Sequence, residues 1–140
     1  MSSNQCAGSC LCGNVQIKLS AEPIAVALCH CRDCQKQTGT SFSLVALVPA
    51  SAVQITGTTA MFATRGDSGD SVERTFCPKC GSPVRTDSST TRQQGITILK
   101  AGLLDNAGEL QPALQIYCDS AHSWLPDLAP MARFAKMPPR

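Results

Sequence analysis

The sequence predicts a mainly β fold of antiparallel sheets, and three observations carry that expectation. Apolar and polar residues alternate in several short stretches, as where Val15, Ile17 and Leu19 fall on one face. Two apolar runs, "IAVALCHC" (24–31) and "SFSLVALV" (41–48), have the length of strands. No segment carries a strong helical period, and turn residues recur throughout.

In chain order, the first strand is expected around 15–19 and the next two over 24–31 and 41–48. Between these, "RDCQKQTG" (32–39) reads as one short helical turn ended by Gly39. "VQIT" (53–56) is a strand with a turn at Gly57, and "TTAMFATR" (58–65) is the next strand. "GDSGDS" (66–71) is a loop tip. "VERTFC" (72–77), "GITILKAG" (95–102) and "ALQIYC" (113–118) alternate again, while "TDSSTTRQQG" (86–95) reads as a polar loop. The proline-rich tail from Leu125 is expected as extended coil over the body.

With 140 residues and 43% hydrophobic composition, the chain fits one domain over 1–140. Residues 1–7 and 138–140 are expected to be flexible. The formal charge is only +2, basic residues are scattered and aromatics make up 4%. That argues against nucleic acid as a partner. No apolar run reaches the roughly 18–20 residues that cross a bilayer, and "MSSNQCAGSC" lacks the pattern of a secretory leader. The expected location is the cytoplasm. There, clustered cysteines serve more often as metal ligands than as disulfides.

Nine cysteines are present, and most fall in three clusters: "CLC" (10–12), "CHCRDC" (29–34) and "CPKCG" (77–81). The last is a metal knuckle, a tight turn that aims backbone N–H groups at two sulfurs. It supplies two of the four ligands that structural zinc takes. One pairing adds Cys31 and Cys34 to Cys77 and Cys80, leaving Cys10, Cys12 and Cys29 over. The other adds Cys10 and Cys12, and leaves Cys29, Cys31 and Cys34 as a three-ligand set. The second splits no cluster and matches the division between closed structural zinc and catalytic zinc with an open position.

"GSCLCGNV", "CHCRDCQKQTGTSF", "RTFCPKCGSPV", "GLLD" and "QIYCDSAHSW" occur in an order and spacing that resemble the glutathione-dependent formaldehyde-activating enzyme family, from Gly8 to about Met137. The resemblance implies an Mss4-like fold of several antiparallel sheets stapled by two zinc ions. It implies a structural zinc at Cys10, Cys12, Cys77 and Cys80, and a second, substrate-facing zinc at Cys29, Cys31 and Cys34. The implied activity is that of a carbon–sulfur lyase, joining a glutathione-like thiol to formaldehyde or a related small electrophile.

An open three-thiolate zinc suits a fourth soft ligand, a thiolate. An anionic thiol such as glutathione calls for cations; Arg32 and Lys36 are the candidates closest in sequence, and Arg74, ahead of "FC", is a further one. His30 lies between two ligands and would face away from them on a strand. Cys6 is expected as a free thiol in a mobile segment. His122 and Trp124 are expected to cover the core or a pocket edge, and Gly102 and Asp105 to be turn residues. "YCDSA" also resembles a segment of type B methionine sulfoxide reductases, whose cysteine is a nucleophile. A redox enzyme using Cys118 is therefore an alternative, although an inert core cysteine explains Cys118 more simply. A zinc-stiffened interaction module without catalysis is a further alternative.

Overall fold

The computed structural model describes residues 5–66, 69–126 and 131–139. Three strands, β1 (Cys6–Ser9), β2 (Gln16–Leu19) and β5 (Val53–Thr56), pair antiparallel in the order β1-β2-β5. The remaining strands are β3 (Ala25–Cys29), β4 (Ser43–Pro49), β6 (Ala60–Arg65), β7 (Ser71–Phe76), β8 (Pro83–Ser88), β9 (Ile96–Lys100), β10 (Leu114–Ile116) and β11 (Ala132–Arg133). They form a second sheet in the order β11-β10-β3-β4-β9-β8-β7-β6. Its pairs are antiparallel except at one edge, where β10 runs parallel to both β3 and β11. The expected mainly β fold of antiparallel sheets is observed, with this parallel edge added to it. The link over residues 101–113 returns the chain past β4 and β3 before β10 is laid down.

The large sheet has two different faces. One face of β4 and β9 carries Ala46, Val48 and Leu99, which pack with Ile17 and Leu19 of the small sheet in one buried cluster. Each such aliphatic side chain stabilises the fold by roughly 1.5–3 kcal/mol when fully buried. On the other face, register sets Val45 opposite Lys100 and Leu47 opposite Ile98. Thr86 lies opposite Ile98 and Arg74 opposite Thr86. Because side chains alternate along a strand, these residues share a face. Together they line a cavity of about 340 Å³.

The expected short helix is α1 (Arg32–Thr38), ended where the Gly39 N–H returns to the Gln35 carbonyl. The polar stretch 86–95 is not a loop. It contains the end of β8 and a second helix, α2 (Ser89–Gln93). Ser88 Oγ accepts from the Thr91 N–H at 3.2 Å and Thr91 Oγ1 accepts from the Ser88 N–H at 2.9 Å, a reciprocal cap. β1 was likewise not anticipated. Cys6 sits in it, paired with Leu19, and not in a mobile end; residues 1–4 lie outside the described residues.

The loop tip at 66–71 is a turn in which the Gly66 N–H donates to the Asp70 carbonyl, although 67–68 lie outside the described residues. The tail is not coil throughout. β11 adds to the sheet edge, and the Phe134 N–H donates to the Gln115 carbonyl. Residues 127–130 and 140 of that tail lie outside the described residues. Trp124 stacks on His122 and is 69% exposed, so it covers neither core nor cavity. Gly102 lies in a single 3₁₀ turn, and the Asp105 N–H ties that region to the Ala7 carbonyl.

Candidate metal centres

Cys10 and Cys12 flank the turn after β1, and Cys77 and Cys80 flank the turn between β7 and β8. In the latter, Gly81 takes a φ of 79° and donates its N–H to the Cys77 carbonyl. That left-handed position suits glycine, which has no Cβ to clash. A second glycine brings the two turns together. Gly57 (φ 98°) lets the backbone carbonyl of Asn14 approach so closely that a Cβ would lie 2.0 Å from it. Asn14 Nδ2 then donates to the Thr58 carbonyl at 2.8 Å and to Cys77 Sγ at 3.5 Å.

All four sulfurs lie within 4.8 Å of one another. Cys10 and Cys12 are 3.7 Å apart, as are Cys12 and Cys77. Tetrahedral zinc with Zn–S bonds of about 2.3 Å requires sulfurs about 3.8 Å apart. Backbone N–H groups also point at the sulfurs: Val15 to Cys10 at 3.2 Å and Lys79 to Cys77 at 3.4 Å. The Ser82 hydroxyl and N–H hold the Cys80 thiol down to about 5. Against the lowering effect of the Asn14 N–H, burial and the neighbouring sulfurs push Cys12 up to about 11. Without a cation these four thiols divide protons among themselves. A divalent cation removes the repulsion that forces the division, so the set fits a metal.

The second group joins the end of β3 to α1. Cys29 closes β3, Cys31 is the N-cap of α1 and Cys34 lies in its first turn. Cys31 Sγ accepts from the Cys34 N–H at 3.2 Å, and the sulfurs of Cys34 and Cys29 are 3.5 Å apart. All three are buried and mutually within 4.8 Å. Hydrogen bonds from Cys29 and Cys31 lower the Cys34 thiol, with help from the charges of Lys100 and Arg74. Hydrogen bonds to Cys31 and then Cys34, together with burial, raise Cys29. These three sulfurs also fit a metal, and they supply one ligand fewer than a closed site.

His30 is not part of this group. Its Nε2 bonds Gln115 Oε1 on β10 at 2.8 Å. The two groups therefore sort as Cys10, Cys12, Cys77 and Cys80, and as Cys29, Cys31 and Cys34. Cys31 and Cys34 do not meet Cys77 and Cys80. Cys6 and Cys118 belong to neither group, and no cysteine forms a disulfide.

The three sulfurs line the cavity on the open face of the large sheet. Lys100, 6% exposed, lines it too, with Nζ donating to Ser43 Oγ at 2.9 Å. Ser43 pairs with Cys29 across β3 and β4, which brings the ammonium beside the thiols. Burial lowers the Lys100 pKa, and the negative charge of Cys34 opposes that shift. Arg74, 7% exposed, lines the same cavity and donates to Gln37 Oε1 at 2.9 Å.

Arg32 and Lys36 are not in that cavity. Arg32 is exposed and donates to Gln35 Oε1. Lys36 is also exposed and lines a neighbouring groove of about 380 Å³ with Phe62, Phe76 and Arg74. Arg74 is the cation common to both spaces. Sequence order favoured Arg32 and Lys36 because they adjoin the cysteines. Lys100 comes from a distant strand, and only its place in the alternation of "ITILK" hinted at its face.

The sequence model of the family described as glutathione-dependent formaldehyde-activating enzyme matches residues 5–120. A relative from Emericella nidulans, whose name assigns it provisionally to the same enzyme type, is 32% identical over 72 residues. That match takes in 51% of this chain and 36% of the relative, so the chain spans about a third of that protein's length. A solved Rhodobacter sphaeroides protein aligns over 91% of this chain and 98% of its own, with a TM-score of 0.54 and 15% identity. At that identity the likeness is one of fold.

Proposed function

The chain belongs to the glutathione-dependent formaldehyde-activating enzyme family, and on that premise we propose that it joins a thiol to a small aldehyde at a zinc site formed by Cys29, Cys31 and Cys34. The observation that carries this reading is the difference between the two sulfur groups. Four sulfurs form one, while three form the other and face a cavity. Cys10, Cys12, Cys77 and Cys80 would hold a structural zinc, whose binding energy becomes folding energy.

Zinc in the three-cysteine site supplies a soft Lewis acid that lowers the pKa of an incoming thiol, so that its thiolate is present at neutral pH. The chain's own residues do the rest. Three thiolates outweigh a divalent cation by one negative charge, and a fourth thiolate would add another. Lys100 and Arg74, buried at the cavity wall, offset both. The cavity holds the carbonyl carbon near the sulfur, which is a proximity effect. As the C–S bond forms, the carbonyl π pair moves onto oxygen, and the proton released by the thiol ends there to give the S-hydroxyalkyl product. Lys100 Nζ is the buried ammonium suited to share its proton with that oxygen.

If the thiol is glutathione, its carboxylates suit the groove beside Arg74, where Lys36 stands. Nine cysteines without a disulfide suit the cytoplasm, where thiols stay reduced. Among the described residues no helix is long and apolar enough to cross a membrane. Cys118 does not line the cavity, which disfavours a redox role there.

Exchange NMR on formaldehyde and glutathione tests the reading. The zinc-loaded protein should speed formation and breakdown of the S-hydroxymethyl thiol, and Cys34→Ser should abolish the effect while the fold survives. Thiol entry without acceleration would discard the substrate. No thiol entry would favour a non-catalytic interaction module. Activity that survives Cys34→Ser and dies in Cys118→Ser would favour the redox enzyme.

A further inference from the structure

We propose that the carbonyl substrate carries an apolar body, an aliphatic or aromatic group of several carbons, seated in the cavity beside Cys29, Cys31 and Cys34. This rests on reading that three-cysteine group as the thiol-binding site. The argument comes from how the cavity's charges and aliphatic side chains are distributed. Of its buried cations, Lys100 is bonded to Ser43, which pairs with Cys29, and Arg74 is bonded to Gln37 of α1, the helix that carries Cys34. Beyond them, the walls are Leu47, Val72, Ile96, Ile98 and Ile116, from β4, β7, β9 and the end of β10.

Several of these aliphatic side chains are only half-buried, because the cavity leaves one side of each without a neighbour. Leu47 and Ile98 are direct partners across β4 and β9, so they form a continuous apolar floor one pair along from Val45 and Lys100. The acids on the far side have partners of their own. Asp87 accepts from Thr97 Oγ1 at 2.6 Å, and Asp70 accepts from the Thr90 N–H at 3.1 Å. Formaldehyde has no body to fill such a space. The two carboxylates of a tripeptide thiol would meet aliphatic walls and acids there, and fit the separate Lys36 groove better. The volume of about 340 Å³ lies at the small end of ligand pockets.

Burying a methylene in an apolar site is worth about fourfold in affinity. The test uses the zinc-loaded full chain and two readouts. Calorimetry measures binding of unreactive primary alcohols (butanol, hexanol and octanol). Exchange NMR with glutathione measures kcat/KM for formaldehyde, butanal and hexanal. Affinity and kcat/KM should both rise by about fourfold per added methylene. Ile98→Trp, which fills the floor, should flatten the dependence on chain length in both readouts. If Ile98→Trp fails to fold, Ile98→Thr should still flatten the dependence. Thiol entry and formaldehyde exchange with no dependence on chain length in either readout would overturn the proposal and leave the thiol chemistry standing. Chain-length-dependent alcohol binding with no thiol entry would overturn the assignment to a carbonyl substrate and the thiol reading with it.

Discussion

Lys100 illustrates how a single residue can be costly to the fold and useful to the site. An ammonium at 6% exposure is expensive to bury, and its pKa falls accordingly. What it gains is proximity to the three sulfurs, above all to the negative charge of Cys34. Lys100→Met keeps the aliphatic stem and removes the charge. Replacing a buried charge with an apolar group of similar volume is often neutral or stabilising. The expected outcome is therefore split: thermal stability is held or raised, while affinity for an entering thiolate falls by about tenfold or more. Titration of thiol into the cobalt-substituted variant, beside a thermal melt, measures both. Equal loss of stability and affinity would make Lys100 structural only. The sequence could not single out this residue. The cysteine spacing made the sulfurs legible because a metal needs ligands at fixed separations. A lysine at the end of an alternating strand shows which neighbours share its face, and nothing in the strand says what lies opposite.

At the scale of elements, the same limit explains what was and was not legible. α1 was readable because Gly39 ends it, whereas its N-cap, Cys31, was not foreseen. β8 and α2 were hidden in a polar stretch because their polar groups are satisfied locally. Asp87 is buried with Thr97 and Arg85 as partners, and Ser88 caps α2. β11 was hidden because two residues carry no period at all. The parallel edge could not be read from any strand alone, since direction is set by the connection. α2 also depends on Asp70, whose carboxylate accepts from the Ser89 hydroxyl and the Thr90 N–H. Those donors, Ser89 first, hold its pKa below the usual 3.8. Its contribution is therefore full above the ordinary carboxylate value and is lost as pH falls through the lower, folded value. Amide exchange at Thr90–Gln93 should accelerate below about pH 4, and Asp70→Asn should show fast exchange at neutral pH with no such step. An unchanged exchange rate in Asp70→Asn would remove Asp70 as the anchor of α2.

At the scale of the whole molecule, the two sulfur groups connect different parts of the fold. Cys10, Cys12, Cys77 and Cys80 tie the turn after β1 to the turn between β7 and β8, and so join the small sheet to the large one. The other three sulfurs join only β3 to the helix that follows it. Cys77→Ser should therefore give insoluble or misfolded chain, with a loss on the order of 10 kcal/mol of metal-linked folding energy. Cys31→Ser should fold and bind one zinc by native mass spectrometry. A soluble Cys77→Ser variant that still binds two zinc ions would contradict this division. The most direct test of the account is the absorption of the protein with cobalt in both sites, titrated with glutathione. The expected result is a new thiolate charge-transfer band that saturates at one thiol per chain, absent in Cys31→Ser and retained in Lys36→Ala. A spectrum that no thiol alters would show both sites closed and contradict the claim of an open three-cysteine metal centre.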